Sequence, residues 1–317
     1  MMNTPEWLNK ILISPRVTDI CLNGPSEVYV DQGDGLKPID AQGARLWREE
    51  EMKNWVLDQI SSAGKTWDAR HPFIDATLST GHRLHVAFPP LARQGILVSL
   101  RRLPSANRDQ GLDCTSGAAR WASSPLYLRL SELVKRGDSV LLSGATGSGK
   151  TTLASDLLES VPPTERILAL EDTAELAPKH PHFISLTSRP PNADGFGEVT
   201  LRTLLRQVLR MRPDRIILGE CRGPEVLDLL QALNTGHRGA LATLHANSAR
   251  DALRRAELLC LLSSGGSIPL LAVRELLSVG VQWIAQVRRE GARREISELW
   301  KIEGREGETI LLRPVTA

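Results

Sequence analysis

The sequence predicts an α/β protein in two parts. A smaller mixed α/β domain covers residues 1–104, a linker 105–124, and a larger domain 125–317 built on a mostly parallel sheet with helices on both faces. Three observations carry this. At 317 residues the chain is about two domains long at roughly 150 residues each. From Pro125 onward strand-like apolar runs alternate with helix-like ones, the pattern of repeated βαβ units. The stretch from Pro104 to Ser124, PSANRDQGLDCTSGAARWASS, is rich in small and polar residues with little periodicity, as a linker would be.

In the first domain a helix is expected over Ala44–Ser62, with Leu46, Trp47, Val56, Leu57 and Ile60 as its apolar set. Short strands are expected at Val28–Val30, Leu84–Phe88 and Ile96–Leu100. In the larger domain the apolar runs predict strands at Ser139–Leu142, Ile167–Leu170, Phe183–Leu186, Arg215–Leu218, Ala240–Leu244 and Val281–Val287. Leu201, Leu204, Leu205, Val208 and Leu209 share one helical face, Arg202, Arg206 and Arg210 take another, and Pro213 marks the end. A second helix opens at Gly223-Pro224, buries Val226, Leu229, Leu230 and Leu233, and closes near Gly236.

With 41% hydrophobic and 24% charged residues, disordered, collagen-like and membrane-embedded classes lose ground. A net charge of +2 is too small for a general polyanion-binding field, so no direct nucleic-acid partner is expected. Arginine supplies 31 of the 39 basic residues, so each arginine has to be argued singly. Cys21, Cys114, Cys221 and Cys260 form no Cys-x-x-Cys pair, and reduced thiols in a cytoplasmic protein are expected. The N-terminus lacks a basic start followed by an unbroken apolar stretch, so neither export nor a membrane span is expected.

The sharpest motif is Gly144-Ala145-Thr146-Gly147-Ser148-Gly149-Lys150-Thr151, a full G-x-x-x-x-G-K-[ST] between a strand and a helix that continues through Thr152. The loop N–H groups and the helix N-terminus suit a phosphate chain, Lys150 suits the β- and γ-oxygens of ATP, and the Thr151 hydroxyl suits Mg²⁺. About twenty residues on, Glu171 closes a strand at the same sheet edge, where a carboxylate can activate water as general base. The run Arg215-Ile-Ile-Leu-Gly219-Glu220 is similar to a Walker B strand with Gly219 in place of the customary Asp, which leaves the metal or the water to Glu220. His237 and His245 flank another strand without a third ligand at metal spacing. His245 could sense the γ-phosphate or simply be a satisfied structural histidine. Arg83, Arg101 and Arg212 are the arginines considered for transition-state charge, each weighed against an ordinary surface role.

The segments Arg189-Pro-Pro-Asn-Ala-Asp-Gly-Phe-Gly-Glu-Val-Thr200, Leu209-Arg-Met-Arg-Pro-Asp-Arg-Ile-Ile-Leu-Gly-Glu220, Leu230-Gln-Ala-Leu-Asn-Thr-Gly-His237 and Thr243-Leu-His-Ala-Asn-Ser248 follow the loop in order. Together they resemble the type II/type IV secretion ATPases, most closely the CpaF branch that serves tight-adherence pili. The resemblance implies a RecA-like P-loop motor with a smaller N-terminal domain, assembled as a homohexamer. It also implies a cytoplasmic location, peripheral at the inner membrane, docked on a secretion or pilus platform protein. It makes Lys150 and Thr151 the Walker A pair, Glu171 the catalytic carboxylate, Glu220 the Walker B acid, and His237 with His245 the His-box. Phe73–Pro90 and Leu97–Arg102 are similar to the part that supplies phosphate-binding arginines, which favours Arg83 and Arg101. The short N-terminus departs from the longer extension that many CpaF-like proteins carry, so docking to the platform is expected to differ from theirs, while the missing four-cysteine metal module fits the CpaF side or the neighbouring conjugation-type ATPases. A RecA-like nucleic-acid motor would need basic and aromatic contact loops, and aromatics are only 4%. A nucleotide-binding scaffold without turnover would have no need of both Glu171 and Glu220.

Overall fold

The computed structural model describes residues 4–33, 35–39, 47–68, 72–93, 95–102, 121, 124–192, 195–290 and 293–316. The chain divides into two compact units, Met1–Cys114 and Thr115–Ala317.

The first unit holds helix α1 (Glu6–Ile13), strands β1 (Asp19–Asn23), β2 (Glu27–Asp31) and β3 (Leu36–Pro38), helix α2 (Glu49–Ser62), and strands β4 (Phe73–Thr77), β5 (His82–Ala87) and β6 (Leu97–Arg102). The strands form one antiparallel sheet in the order β3-β2-β1-β6-β5-β4. Outside the exposed β3, every second residue is buried, as in Ile20 and Leu22 or Leu84 and Val86, so one face of the sheet packs on the apolar stripes of α1 and α2. Helix α2 starts at Glu49 rather than Ala44. Trp47 precedes the helix and anchors the core, its ring 5.3 Å from Trp7 and 5.2 Å from Trp55. Residues 44–46 lie outside the described ones.

The second unit holds α3 (Pro125–Arg136), β7 (Val140–Gly144), α4 (Lys150–Leu158), β8 (Ile167–Glu171), β9 (Phe183–Thr187), α5 (Leu201–Val208), β10 (Arg215–Leu218), α6 (Glu225–Asn234), β11 (Leu241–His245), α7 (Ala249–Ser263), α8 (Leu270–Gly280), β12 (Trp283–Glu290), β13 (Arg293–Glu306) and β14 (Thr309–Pro314). Its sheet runs β14-β13-β12-β7-β11-β10-β8-β9. From β12 to β9 the pairings are parallel, and β13 and β14 extend the edge in antiparallel fashion. Both faces of the parallel strands are covered. Leu141, Ile216 and Leu218 feed one core, and Val140, Leu142 and Ile217 feed the other. Strands buried on both sides read as continuous apolar runs, which is why β7, β8, β10, β11 and β12 were legible.

Helix α5 stops at Val208, well before Pro213, with Leu209 as its C-cap. Its Arg202 and Arg206 both pair with Asp228 of α6, at 2.6 and 3.3 Å. Within the stretch expected as linker, Trp121 is buried in the larger unit, where its Nε1 donates to Asp156 Oδ2 at 2.9 Å. The remainder of that stretch, apart from Ser124, lies outside the described residues. Cys21, Cys221 and Cys260 are free thiols, and Cys114 also lies outside. No helix among the described residues is long and apolar enough to cross a membrane.

Arg215, only 4% exposed, ties the start of β10 to the end of α3. Its Nη1 donates to the Val134 carbonyl at 2.8 Å and its Nη2 to the Lys135 carbonyl at 3.2 Å, while Glu165 neutralises it. Arg215→Leu strands those groups, and urea unfolding is expected to show a loss of about 3 kcal/mol.

Candidate active site

Parallel strands bring their C-terminal ends to one sheet edge, and ligands of such sheets bind there. Here that edge carries the P-loop after β7, Glu171 at the end of β8, Glu220 two residues past β10, and His245 at the end of β11. Gly144 is the register partner of both His245 on β11 and Val287 on β12. A Cβ on Gly144 would lie 2.5 Å from the Val287 carbonyl oxygen and 2.7 Å from Ser148 Oγ, so only glycine lets β12 and the loop close up here.

Lys150 opens α4 and is 6% exposed. Its Nζ donates to the Gly144 and Ala145 carbonyls at 2.9 Å each and lies 3.3 Å from His245 Nδ1. Burial pushes the ammonium down to about 8, with the charges of Glu220 and Glu175 partly offsetting it. Thr146 Oγ1 lies 3.5 Å from the same His245 Nδ1. His245 Nε2 stands 2.9 Å from Glu220 Oε1. Burial first, then the Lys150 charge, lowers the imidazole below its ordinary value. A neutral His245 therefore accepts from Lys150 at Nδ1 and donates to Glu220 from Nε2. Glu220 Oε2 accepts from Arg222 Nη2 at 2.6 Å, and Arg222 also faces Asp172 at 3.8 Å. Burial raises the Glu220 carboxyl, but the bond to Arg222 and the charges of Arg222, His245 and Lys150 outweigh it, so it sits below the usual range and is ionised.

Glu171 is 2% exposed and differently engaged. Its Oε1 accepts from the Glu175 and Leu176 backbone N–H groups at 2.8 Å each, and its Oε2 from Ser185 Oγ at 2.6 Å. Burial dominates and raises its carboxyl, against the opposing pull of those three bonds. A carboxylate has about four lone-pair sites, so one remains for a further donor. Its side chain also lies on Gly219, where a Cβ would come within 2.9 Å of Glu171 Cγ. An Asp at 219 has no room beside Glu171, the physical reason for the glycine in the Walker B run.

The fold thus assembles Gly144, Ala145, Thr146, Gly147, Ser148, Gly149, Lys150, Thr151 and Thr152 with Glu220, His245 and, beside Gly219, Glu171. Thr151 and Glu220 are the oxygen donors suited to a divalent cation here, one a hydroxyl at the loop end and one an ionised carboxylate. Arg212 is not brought in. It precedes β10, at the edge opposite the P-loop, and adopts a left-handed φ of 54°. Strand direction decides this, because β7 and β10 run the same way. His237 lies at the opposite end of β11 from His245. Arg83 and Arg101 belong to the first unit, where they are register partners on β5 and β6. Sequence reasoning missed Arg222 and Ser185. The spacing of Arg222 two residues after Glu220 was the available signal.

A model described as "Type II/IV secretion system protein" matches residues 5–288. The chain belongs to that family. Among its relatives in the family, "Putative conjugal transfer protein Rv3659c" of Mycobacterium tuberculosis is 40% identical over 308 residues, 94% of this chain and 85% of that protein. "Type IV secretion system protein PtlH" of Bordetella pertussis is 32% identical, covering 94% and 93%. The solved structure of the pilus retraction motor PilT with ADP matches with a TM-score of 0.63 at 23% identity, over 89% of this chain and 77% of that one. At that identity the likeness is one of fold: the larger unit is a RecA-like P-loop domain.

The buried ammonium of Lys150 predicts that phosphate binding at the loop depends on pH. Phosphate oxygens favour its charged form, so affinity for pyrophosphate is expected to fall as pH rises through about 8. Binding above that pH should take up protons. Calorimetry in buffers of different ionisation enthalpy measures both.

Proposed function

We propose that this member of the family hydrolyses MgATP and turns the cycle into motion of a secretion machine. The observation that carries the reading is the chain Lys150–His245–Glu220–Arg222 set against a complete P-loop. It couples the phosphate-binding lysine to an ionised carboxylate through a neutral imidazole, so that loss of the γ-phosphate is felt at Glu220. Glu171 is the proposed base. Burial makes its carboxylate more basic than usual, and its free lone-pair site can take a proton from water. Mg²⁺, held through Thr151 and Glu220, would neutralise phosphate charge. His245 is the proposed γ-phosphate sensor. Arg83 and Arg101 are proposed phosphate ligands of the first unit. They stand directly opposite each other as like charges, with Asp75 at 3.8 Å from one and Asp19 at 3.9 Å from the other, a placement that an anion would relieve.

The assembly proposed is a homohexamer, cytoplasmic and peripheral at the inner membrane, docked on a platform protein. The CpaF-like pilus reading rests on the motif strings. A conjugation-type or type IV secretion role is favoured equally by the names of the relatives that are 32 to 40% identical.

Purified protein is expected to turn over ATP only with Mg²⁺. Glu171→Gln should lower turnover by about 10²–10⁴-fold while nucleotide binding persists. The amide can still accept from Glu175 and Leu176, and the Ser185 hydroxyl can rotate to accept. Light scattering with nucleotide should give a six-subunit mass. Unchanged turnover in Glu171→Gln would remove Glu171 as base, and a nucleotide-bound monomer would remove the ring.

A further inference from the structure

A general base works only if its carboxylate is held in a fixed direction against the water it activates. Two of the three donors on the Glu171 carboxylate are backbone N–H groups of the chain that follows it, those of Glu175 and Leu176. Residues 172–177 belong to no helix or strand. Whatever fixes that loop therefore fixes the direction of Glu171.

Two contacts tie the loop to α4. Leu176 is buried in the same core as Leu153, Ala154 and Leu157 of that helix. One peptide further on, the Ala177 N–H donates to Ser155 Oγ at 3.3 Å. Apolar packing is non-directional, so Leu176 sets how deep the loop lies but not how its peptide planes are turned. The hydrogen bond is directional and supplies the missing constraint. Ser155 is 2% exposed, in a helix buried from Leu153 to Leu158. A hydroxyl there is unfavourable unless it is bonded, and alanine is the better helix former. The acceptor it offers to Ala177 offsets that cost. Ser155 also follows Thr151 by four residues, so the two hydroxyls share one face of α4, one turn apart.

We infer that Ser155 is a positioning residue of the site: through Ala177 it holds the loop whose N–H groups orient Glu171, in register with Thr151 on the same helix. This rests on the reading of Glu171 as the base. Ser155 touches no reacting atom, and its effect on hydrolysis passes through Glu171. The helix that opens with the phosphate-binding lysine thereby also sets the direction of the carboxylate at the end of β8.

The test compares the full chain as wild type, Ser155→Ala, Ser155→Cys, Ser155→Thr and Glu171→Gln. Affinity for a fluorescent ATP analogue with Mg²⁺ and single-turnover MgATP hydrolysis against pH are measured on each. Cysteine keeps nearly the shape of serine but is a weak acceptor, whereas threonine keeps the hydroxyl. The Ala and Cys variants are expected to hydrolyse about tenfold more slowly with unchanged affinity, and Ser155→Thr to stay close to wild type. The acid limb of the pH profile should move as well. The bonds from Glu175 and Leu176 pull the Glu171 carboxyl down, against burial and the Glu175 charge, so a loosened loop lets it rise and shifts the limb to higher pH. A hydroxyl that served stability alone would leave the limb in place. If the threonine methyl prevents folding, the Cys variant carries the test. Wild-type rates and pH profile in the Ala and Cys variants, or slower hydrolysis with an unmoved limb, would overturn the inference while a slow Glu171→Gln left the base reading standing. Wild-type hydrolysis in Glu171→Gln would overturn the base reading and the inference with it.

Discussion

Taking an ammonium out of water costs several kcal/mol unless acceptors and counter-charge replace its hydration. Lys150 meets this with the carbonyls of Gly144 and Ala145, with His245 Nδ1, and with the negative charge of Glu220 beyond. These partners come from three strand ends, so the sheet must hold β7, β10 and β11 in one parallel register for the ammonium to be tolerated. Gly144 sits where that demand is tightest, paired to β11 on one side and β12 on the other without space for a Cβ. The lowered pKa of Lys150 is the residue of a desolvation only partly compensated. Phosphate oxygens would complete the compensation, which makes the loop a site poised for an anion rather than one already satisfied.

The two carboxylates of the site divide by environment. Glu220 lies among cations and stays ionised below the ordinary range, as the proposed metal ligand should. Glu171 is buried and raised, as the proposed base should be. Two carboxyls pushed in opposite directions within one site can take different roles, one holding charge and the other taking a proton. Gly219 permits it, because the residue between the Walker B strand and Glu220 has to yield its side-chain volume to Glu171.

Much of this was legible beforehand, for physical reasons. Strands buried on both faces leave unbroken apolar runs, and β7, β8, β10, β11 and β12 were readable for that reason. β1 and β4 alternate apolar with polar residues over only five positions, and β13 mixes in charges along its length, so none stood out. The P-loop needed no tertiary information, since its chemistry is local. The link from His245 to Glu220 joins separate strand ends and follows only from the sheet order. Arg212 shows the converse: it lies close to Glu220 in sequence, but four residues of strand carry it to the other edge.

The most direct test is a structure with Mg²⁺ and a slowly hydrolysed ATP analogue. Lys150 Nζ is predicted to leave the Gly144 and Ala145 carbonyls for phosphate oxygens, with Thr151 and Glu220 turned toward the metal. A nucleotide bound away from residues 144–151, or bound there with Lys150 still on both carbonyls, would contradict the central role given to the buried ammonium.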